Sequence, residues 1–302
     1  CINITASRLV LNCQGNRINY SQSALGYGIN VSDSKNNVTI KNCVIWEGDT
    51  TPTARSHGIL LERANNNVTL LNNTVYTKGG NSSVVRARGG SDNMIENNTL
   101  TATAADSVAL FLSNANATVR GNLINASGVD GEEDAYGIYL DNSDNNTIAN
   151  NSVYSGLSIA IALASNSTGN VIYNNMFNGS ESSVTVSGSP FNNWNITLRS
   201  ETNIVGGPRI GGNYYWTHDG NGFSQECTDI DGSGICDSNY TIATGNVDGY
   251  ALVSPYASLS VSRCGYIGRD NTLYNITSFM NSTGACINIT ASRLVLNCQG
   301  NR

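Results

Sequence analysis

Basic residues are scarce: 16 Lys plus Arg stand against 22 Asp plus Glu, and charged residues make up 13% of the chain. The electrostatic footprint of a nucleic-acid binder is missing, so neither DNA nor RNA is an expected partner. No run of about 20 apolar residues occurs, and no basic segment precedes an apolar one, so neither a membrane span nor a signal peptide is expected within these residues. Helical amphipathic periodicity is absent. Proline is limited to 4 residues beside 31 glycines, which favours continuous strand stacking over a sandwich. The cysteines form no CxxC pair, which removes the usual zinc and redox signatures.

What is present folds, since 39% hydrophobic content with little charge is globular. Residues 286–302, CINITASRLVLNCQGNR, repeat residues 1–17 letter for letter at an offset of 285 residues. The simplest reading is a window cut from a tandem array, with each period a domain in its own right. On that reading the natural unit begins near Val261, and Cys1 and Cys298 look to neighbouring repeats. Sequons are dense. Asn3, Asn19, Asn30, Asn37, Asn67, Asn72, Asn81, Asn97, Asn116, Asn125, Asn145, Asn150, Asn166, Asn178, Asn195, Asn239, Asn275, Asn281 and Asn288 each begin N-x-S/T. With an even number of cysteines per period, they point to a secreted, oxidised and N-glycosylated protein, although an Asn-rich chain generates sequons by composition alone.

A shorter repeat runs inside the long one. The phrases SRLVLNCQG, NVTIKNCVI, NVTLLNNTV, DNMIENNTL, NATVRGNLI, NNTIANNSV and GNVIYNNMF align an apolar column of Val10, Ile40, Leu70, Ile95, Val119, Ile148 and Ile172. A second column holds Asn12, Asn42, Asn72, Asn97, Gly121, Asn150 and Asn174, spaced 30, 30, 25, 24, 29 and 24 residues apart. Such spacings suit the coils of a right-handed parallel β-helix, with strands stacked about 4.8 Å apart and apolar residues in inward ladders. Asparagine tolerates the left-handed backbone of a sharp corner, and stacked amides can hydrogen-bond from coil to coil. A second strand precedes each phrase, as in YGINV, HGILL and VALFL. The expected fold class is therefore all-β, with a β-helix over residues 1–204, an Asp/Gly-rich loop module over 205–260 at its C-terminal end, and the start of another β-helix over 261–302.

The coil spacing places Cys13 and Cys43 in one column, within disulfide range. Cys264 and Cys286 lie 22 residues apart, about one coil, and Cys227 and Cys236 enclose a short loop. Three disulfides are expected, against the alternative of buried free thiols. Between the last pair, Asp229, Asp231, Ser233, Ile235 and Asp237 fall at positions 1, 3, 5, 7 and 9 of a calcium loop, with Gly234 at the turn. Position 12 is Tyr240, not a bidentate Glu, which weakens a structural Ca2+ site or demands a distant carboxylate such as Asp248. The alternative is an Asp/Gly turn clamped by its disulfide without metal.

The ladder phrases, the opening CGYIGRDNTLYNITSFMNSTGACINITASRLVLNC and the segment GNYYW…DIDGSGICDSNY together resemble archaeal or bacterial extracellular tandem-repeat surface proteins with NosD-like parallel β-helix repeats. The resemblance covers nearly the whole period and implies the fold and an extracellular placement, but no single activity. Copper delivery, the role associated with NosD itself, fits poorly, because His57 and His218 are the only histidines and the three Met form no cluster.

Three functions compete. The first is a structural subunit of a filament, sheath or surface layer, partnered end to end by adjacent repeats or identical subunits and by N-linked glycans. The second is a polysaccharide lyase, hydrolase or epimerase, with Arg86 and Arg88 near Glu96, or the acidic run Asp130, Glu132, Glu133 and Asp134, as its candidate groups. The third is a glycan-binding adhesin using Trp46, Trp194 and Trp216 as platforms. The acidic run reads as a solvated loop and the arginines as structural, so the expectation is a structural protein and not an enzyme.

Overall fold

The computed structural model describes residues 1–21, 26–48, 55–127, 135–156, 158–179, 183–217, 219–253, 257–267, 272–277, 280, 283–290 and 295–297. It is a parallel β-helix with three strands per coil. One face stacks Ile2–Ile4, Ile29–Val31, Ile59–Leu61, Ser83–Glu96, Val108–Arg120, Tyr136–Asp141, Ile159–Ala164 and Val184–Val186. A second stacks Leu9–Asn12, Asn36–Lys41 and Asn66–Leu71 onto the far halves of the two long strands, then Thr147–Ala149 and Val171–Tyr173. The third holds eight strands, from Arg17–Tyr20 through Val44–Glu47 to Met176–Gly179 and Tyr214–Thr217. The nine-residue phrase is thus two strands meeting at a corner, and not one.

Apolar ladders fill the interior because parallel stacking in register sets like upon like. On the first face Ile29, Ile59, Val85, Leu110, Ile138 and Ile161 follow one another, all buried. The third face supplies Ile45, Val75, Leu100, Ile124, Val153, Phe177 and Tyr215. The second supplies Ile40, Leu70, Ile95, Val119, Ile148 and Ile172, as the sequence column predicts. Each such aliphatic side chain contributes roughly 1.5–3 kcal/mol of transfer free energy. The column's first member needs correcting: Leu11, not Val10, pairs with Ile40, and Val10 is 63% exposed. The corner after Leu9–Asn12 is two residues longer than the corner after Asn36–Lys41, so the alignment slips by one, which reverses the facing of every side chain.

The polar column also resolves into two. Asn42, Asn72, Asn97, Gly121, Asn150 and Asn174 sit at the corner with φ between 52° and 67°, the left-handed region. Gly121 takes the same left-handed corner, with the Asn97 side chain turned into the space a Cβ there would fill. The residue after the corner turns inward. There Asn73, Asn98, Asn122, Asn151, Asn175 and Asn213 form a buried ladder, each Nδ2 donating to the Oδ1 of the next at 2.9–3.0 Å. Each Oδ1 also accepts the backbone N–H of the preceding asparagine, as from Asn98 to Asn122 at 2.8 Å. The other N–H of each amide reaches a carbonyl one coil back, as from Asn122 to Ile95 at 2.8 Å. Every donor and acceptor is thereby matched, the condition under which a buried polar row stabilises.

Three disulfides close as expected from spacing. Cys13–Cys43 and Cys264–Cys286 tie consecutive coils, with Cα atoms 4.8 Å and 4.6 Å apart, and Cys227–Cys236 closes the short loop. Towards the C-terminus Ala257–Val261, Thr272–Ile276 and Val295–Asn297 stack in parallel, as do Gly265–Ile267 and Ile287–Ile289. Among the described residues the one helix is the single turn Phe223–Glu226, and no helix is long and apolar enough to cross a membrane.

Truncating a ladder amide orphans partners on both sides, each costing about 1–3 kcal/mol. Asn122→Ala should therefore lower the unfolding free energy by about 3–5 kcal/mol in denaturant titration, whereas Asn97→Gly, at the exposed corner, should stay within about 1 kcal/mol. Equal costs at the two positions would contradict the division of roles.

Candidate functional site

The ladders end at the Asp/Gly-rich segment, and that end gathers the chemistry. Its hairpin, Tyr240–Ala243 with Asn246–Asp248, sets Asn246 and Asp248 two residues apart on one side of a strand. Asp248 terminates the ladder from Asn73: its Oδ2 accepts the Asn213 N–H at 2.8 Å and the Tyr215 hydroxyl at 3.0 Å, and its Oδ1 accepts the Tyr250 N–H at 3.0 Å. A second buried row runs Asn146, Asn170, Asn192, and ends where Asn246 Oδ1 accepts from Asn192 and, at 3.0 Å, from the Trp194 indole. An acceptor-only carboxylate suits the end of a row whose last free groups are N–H donors. The GNYYW motif encodes this junction. A Cβ on Gly212 would lie 2.0 Å from Asp248 Oδ1, Asn213 is the last rung, and Tyr214–Thr217 is the last strand of the third face.

Asp248 is fully buried, and burial raises its carboxyl from 3.8 to about 6 against the opposing pull of its four hydrogen-bond donors. Tyr215 is raised well above its ordinary value by burial and then by the Asp248 charge. Asp248 is thus engaged in the cap, and does not complete the calcium loop as the sequence suggested. Position 12, Tyr240, packs on Tyr215 and Phe223 with ring centroids 4.4 Å and 4.6 Å away.

The calcium-loop residues do converge. Carboxylate oxygens of Asp229, Asp231 and Asp237 lie within 4.8 Å of one another. Asp229 accepts the N–H groups of Ser233 and Gly234, both at 2.9 Å, Asp231 accepts the Ser233 N–H at 3.0 Å, and Asp237 accepts the Ile230 N–H at 3.0 Å. Hydrogen bonds from Ser233 hold the Asp231 carboxyl below its ordinary value. Ile235 buries its side chain and bridges to Leu252, with the hydrogen bonds made by its neighbours, Cys236 N–H to Ala251 and Val253 N–H to Gly234. Three carboxylates on a disulfide-clamped turn are hard oxygen donors of the kind Ca2+ takes.

The residues of the competing readings are distributed otherwise. Arg88 pairs with Glu62 at 3.4 Å and Arg120 with Glu96 at 3.1 Å, while the Arg86 guanidinium lies 4.3 Å over the Phe111 ring; Glu96 thus meets neither Arg86 nor Arg88. Arg63, Arg88, Ser113 and Asn114 line a notch of about 300 Å³ on that flank. Asp130, Glu132, Glu133, Asp134, His218 and Cys298 lie outside the described residues. Trp194 is no platform, being completely buried at the cap; Trp216 packs beside Tyr214 and Leu252. Trp46 stacks on Tyr76 at 4.1 Å, with Arg17 over its ring. His57 is buried, its Nδ1 accepts the Ser83 N–H at 2.9 Å, and burial followed by the charges of Arg86 and Arg88 lowers it to about 4.

Every sequon asparagine whose side chain is described is exposed or half-buried; Asn275 and Asn281 lie outside those side chains. The ladder asparagines, by contrast, are buried and begin no sequon. In Asn72-Asn73-Thr74, Asn97-Asn98-Thr99 and Asn150-Asn151-Ser152 the first residue is the corner and the second the rung. These doublets are the sequence signal of the rung, hidden because corner and rung adjoin within one aligned phrase. Nothing comparable marks Asp248 or Asn246 as row ends.

The family described as "Periplasmic copper-binding protein (NosD)" matches residues 2–220. No curated protein matches the chain. Among solved structures, the crystal structure of Dettilon tailspike protein (gp208) is similar at 14% identity with a TM-score of 0.33. The match covers 97% of this chain and 61% of that one, so the chain spans less than two thirds of the tailspike's length.

A carboxyl whose folded value lies above its unfolded one holds its proton more tightly when folded. Its contribution to stability is fully present below about pH 4 and is lost as pH rises through about 6. Between about pH 7 and about pH 4.5 the native chain should gain about 2 kcal/mol relative to Asp248→Asn, which has no such titration. Parallel pH profiles of unfolding free energy for the two proteins would contradict this.

Proposed function

The chain belongs to the NosD family, and from that premise we propose that it is a structural subunit of an extracellular filament, sheath or surface layer, assembled end to end from units of 285 residues and N-glycosylated along its flanks. The observation that carries the reading is the exact return of residues 1–17 at 286–302, beside the parallel stack of Ala257–Val261, Thr272–Ile276 and Val295–Asn297 that follows the cap. Three disulfides support an oxidising compartment, extracellular or periplasmic. The outward placement of the described sequons leaves them open to a glycosyl donor.

The copper in the family's description does not fit the residues present. His57 already accepts a backbone N–H on Nδ1 and sits beside two arginines that repel a cation. Met94 and Met176 stand on strands of different sheets, and the free cysteine among the described residues, Cys1, has neither histidine nor methionine as a hydrogen-bond partner. Hard carboxylates at Asp229, Asp231 and Asp237 favour Ca2+ instead, in a structural role that rigidifies the loop against the cap. A mechanical role also accords with the flank, where Arg88 and Arg120 are each matched by a carboxylate.

Eight strands on the third face, at about 4.8 Å per coil, give roughly 40 Å of helix per unit. Electron microscopy of native material should therefore show an axial repeat somewhat longer than about 4 nm; material that stays monomeric at every concentration would remove the polymer reading. For the cation, EDTA should lower the midpoint of thermal unfolding and added Ca2+ restore it, with both effects lost in Asp229→Asn/Asp231→Asn. An unchanged midpoint would remove the metal.

A further inference from the structure

Midway along the first face, the side chains that alternate with the inward ladder turn outward, and there they are cationic and aromatic. One outward row runs Arg86, Phe111 and Tyr139 from coil to coil, and a second, two residues on, runs Arg88, Ser113 and Asp141. Arg86 is half-buried, with its guanidinium 4.3 Å over the Phe111 ring. Phe111 meets the Tyr139 ring edge-on at 5.2 Å, and Tyr139 meets Tyr136 at 4.8 Å. Among the described residues Arg86 forms no ion pair and donates no side-chain hydrogen bond, since Arg88 and Arg120 hold the carboxylates of Glu62 and Glu96. Stacking thus holds the guanidinium by its face and leaves the N–H fork along its edge unengaged. Positive charge gathers here against the trend of the chain, which has 16 Lys plus Arg beside 22 Asp plus Glu. Burial and then the Arg88 charge lower Arg86 from its ordinary value, with Arg55 adding to the effect and Asp141 opposing it. The same two arginines, Arg86 and Arg88, help lower His57. A half-buried cation beside like charges gains from an anion, which offsets both desolvation and repulsion. Next to it, Arg63, Arg88, Ser113 and Asn114 line the notch of about 300 Å³, the small end of the range for ligand sites.

We propose that this flank binds an acidic polysaccharide, with the carboxylate of a hexuronate unit on the Arg86 guanidinium and an adjoining sugar in the notch beside Arg88. A guanidinium fork and a carboxylate match as a planar, bidentate pair. The ring edges of Phe111 and Tyr139 give the apolar face of a pyranose a surface to pack on, and Ser113 and Asn114 offer a hydroxyl and an amide to its hydroxyl groups. A small inorganic anion would use the arginine alone and leave the rings and the notch without a role. A nucleic acid would meet a chain of net charge -6. The ligand is bound and released whole. Ser83–Glu96 and Val108–Arg120, the two long strands that carry the site, are paired on both sides by other coils of the same chain. The inference therefore stands apart from the end-to-end reading above.

Titration calorimetry of the full chain with hexagalacturonate should show saturable binding, weakened about tenfold or more by Arg86→Ala, the value of one charge-assisted pair. Arg120→Ala, which removes a guanidinium already engaged by Glu96, should leave the affinity unchanged. The fully methyl-esterified hexamer, neutral but of the same shape, should lose about as much as Arg86→Ala does. Should Arg86→Ala fail to fold, phenylglyoxal labelling of the native chain supplies the second measurement: bound hexagalacturonate should shield Arg86 and leave Arg120 reactive. Absence of binding, equal affinity for the esterified hexamer, or an equal loss in Arg120→Ala would overturn the proposal. Polyglutamate binding as tightly as hexagalacturonate and shielding Arg86 equally would overturn it too, by showing a surface that takes any polyanion. Each of these outcomes leaves the polymer reading as it stands.

Discussion

The fold depends on a requirement imposed by stacking: wherever the chain turns a corner in the interior, the backbone N–H after the corner must find an acceptor away from water. Asparagine meets it by offering Oδ1 to the preceding coil while its own Nδ2 bonds the coils on both sides, as Asn122 does with Asn98, Ile95 and Asn151. Coils of different length can then stack, because the spacers vary on the outside while the rungs stay aligned. The apolar ladders supply most of the burial, and the amide rows fix the register in which that burial is achieved.

The Asp/Gly-rich segment follows from the same requirement. A row of amides has to stop, and it stops here at a hairpin that brings Asn246 and Asp248 to the two rows at once. The disulfide Cys227–Cys236, the acidic turn and the aromatic stack of Phe223, Tyr240 and Tyr215 pack around that hairpin. The cap is therefore a polar device first, with the acidic turn at its periphery.

The ladder period was legible in the sequence because parallel stacking repeats both the apolar residue and the corner asparagine at each coil, from Ile40 and Asn42 onwards. The three disulfides were legible for the same reason, being separated by one coil or one loop. At Val10 the reading slipped by one, since a longer corner leaves the spacing to the next phrase looking regular while shifting its facing. The row ends were not legible: Asp248 lies 35 residues from Asn213, and nothing local in VDGY distinguishes a buried acceptor from a turn aspartate. Trp194 misled because an indole N–H that serves Asn246 reads, in one dimension, as an exposed platform.

The amide row from Asn73 to Asn213 runs one way throughout: every carbonyl oxygen faces the coil before, and one N–H of each amide faces the coil after while the other turns back to a backbone carbonyl. Strand dipoles in the sheets largely cancel along the axis, but these side-chain dipoles add, and the carboxylate of Asp248 stands at their positive end as an anion does at a helix N-terminus. The two ends of the row are therefore unlike, one offering an acceptor and the other closed by an anion, so the interior carries a direction that the apolar ladders, alike read either way, do not.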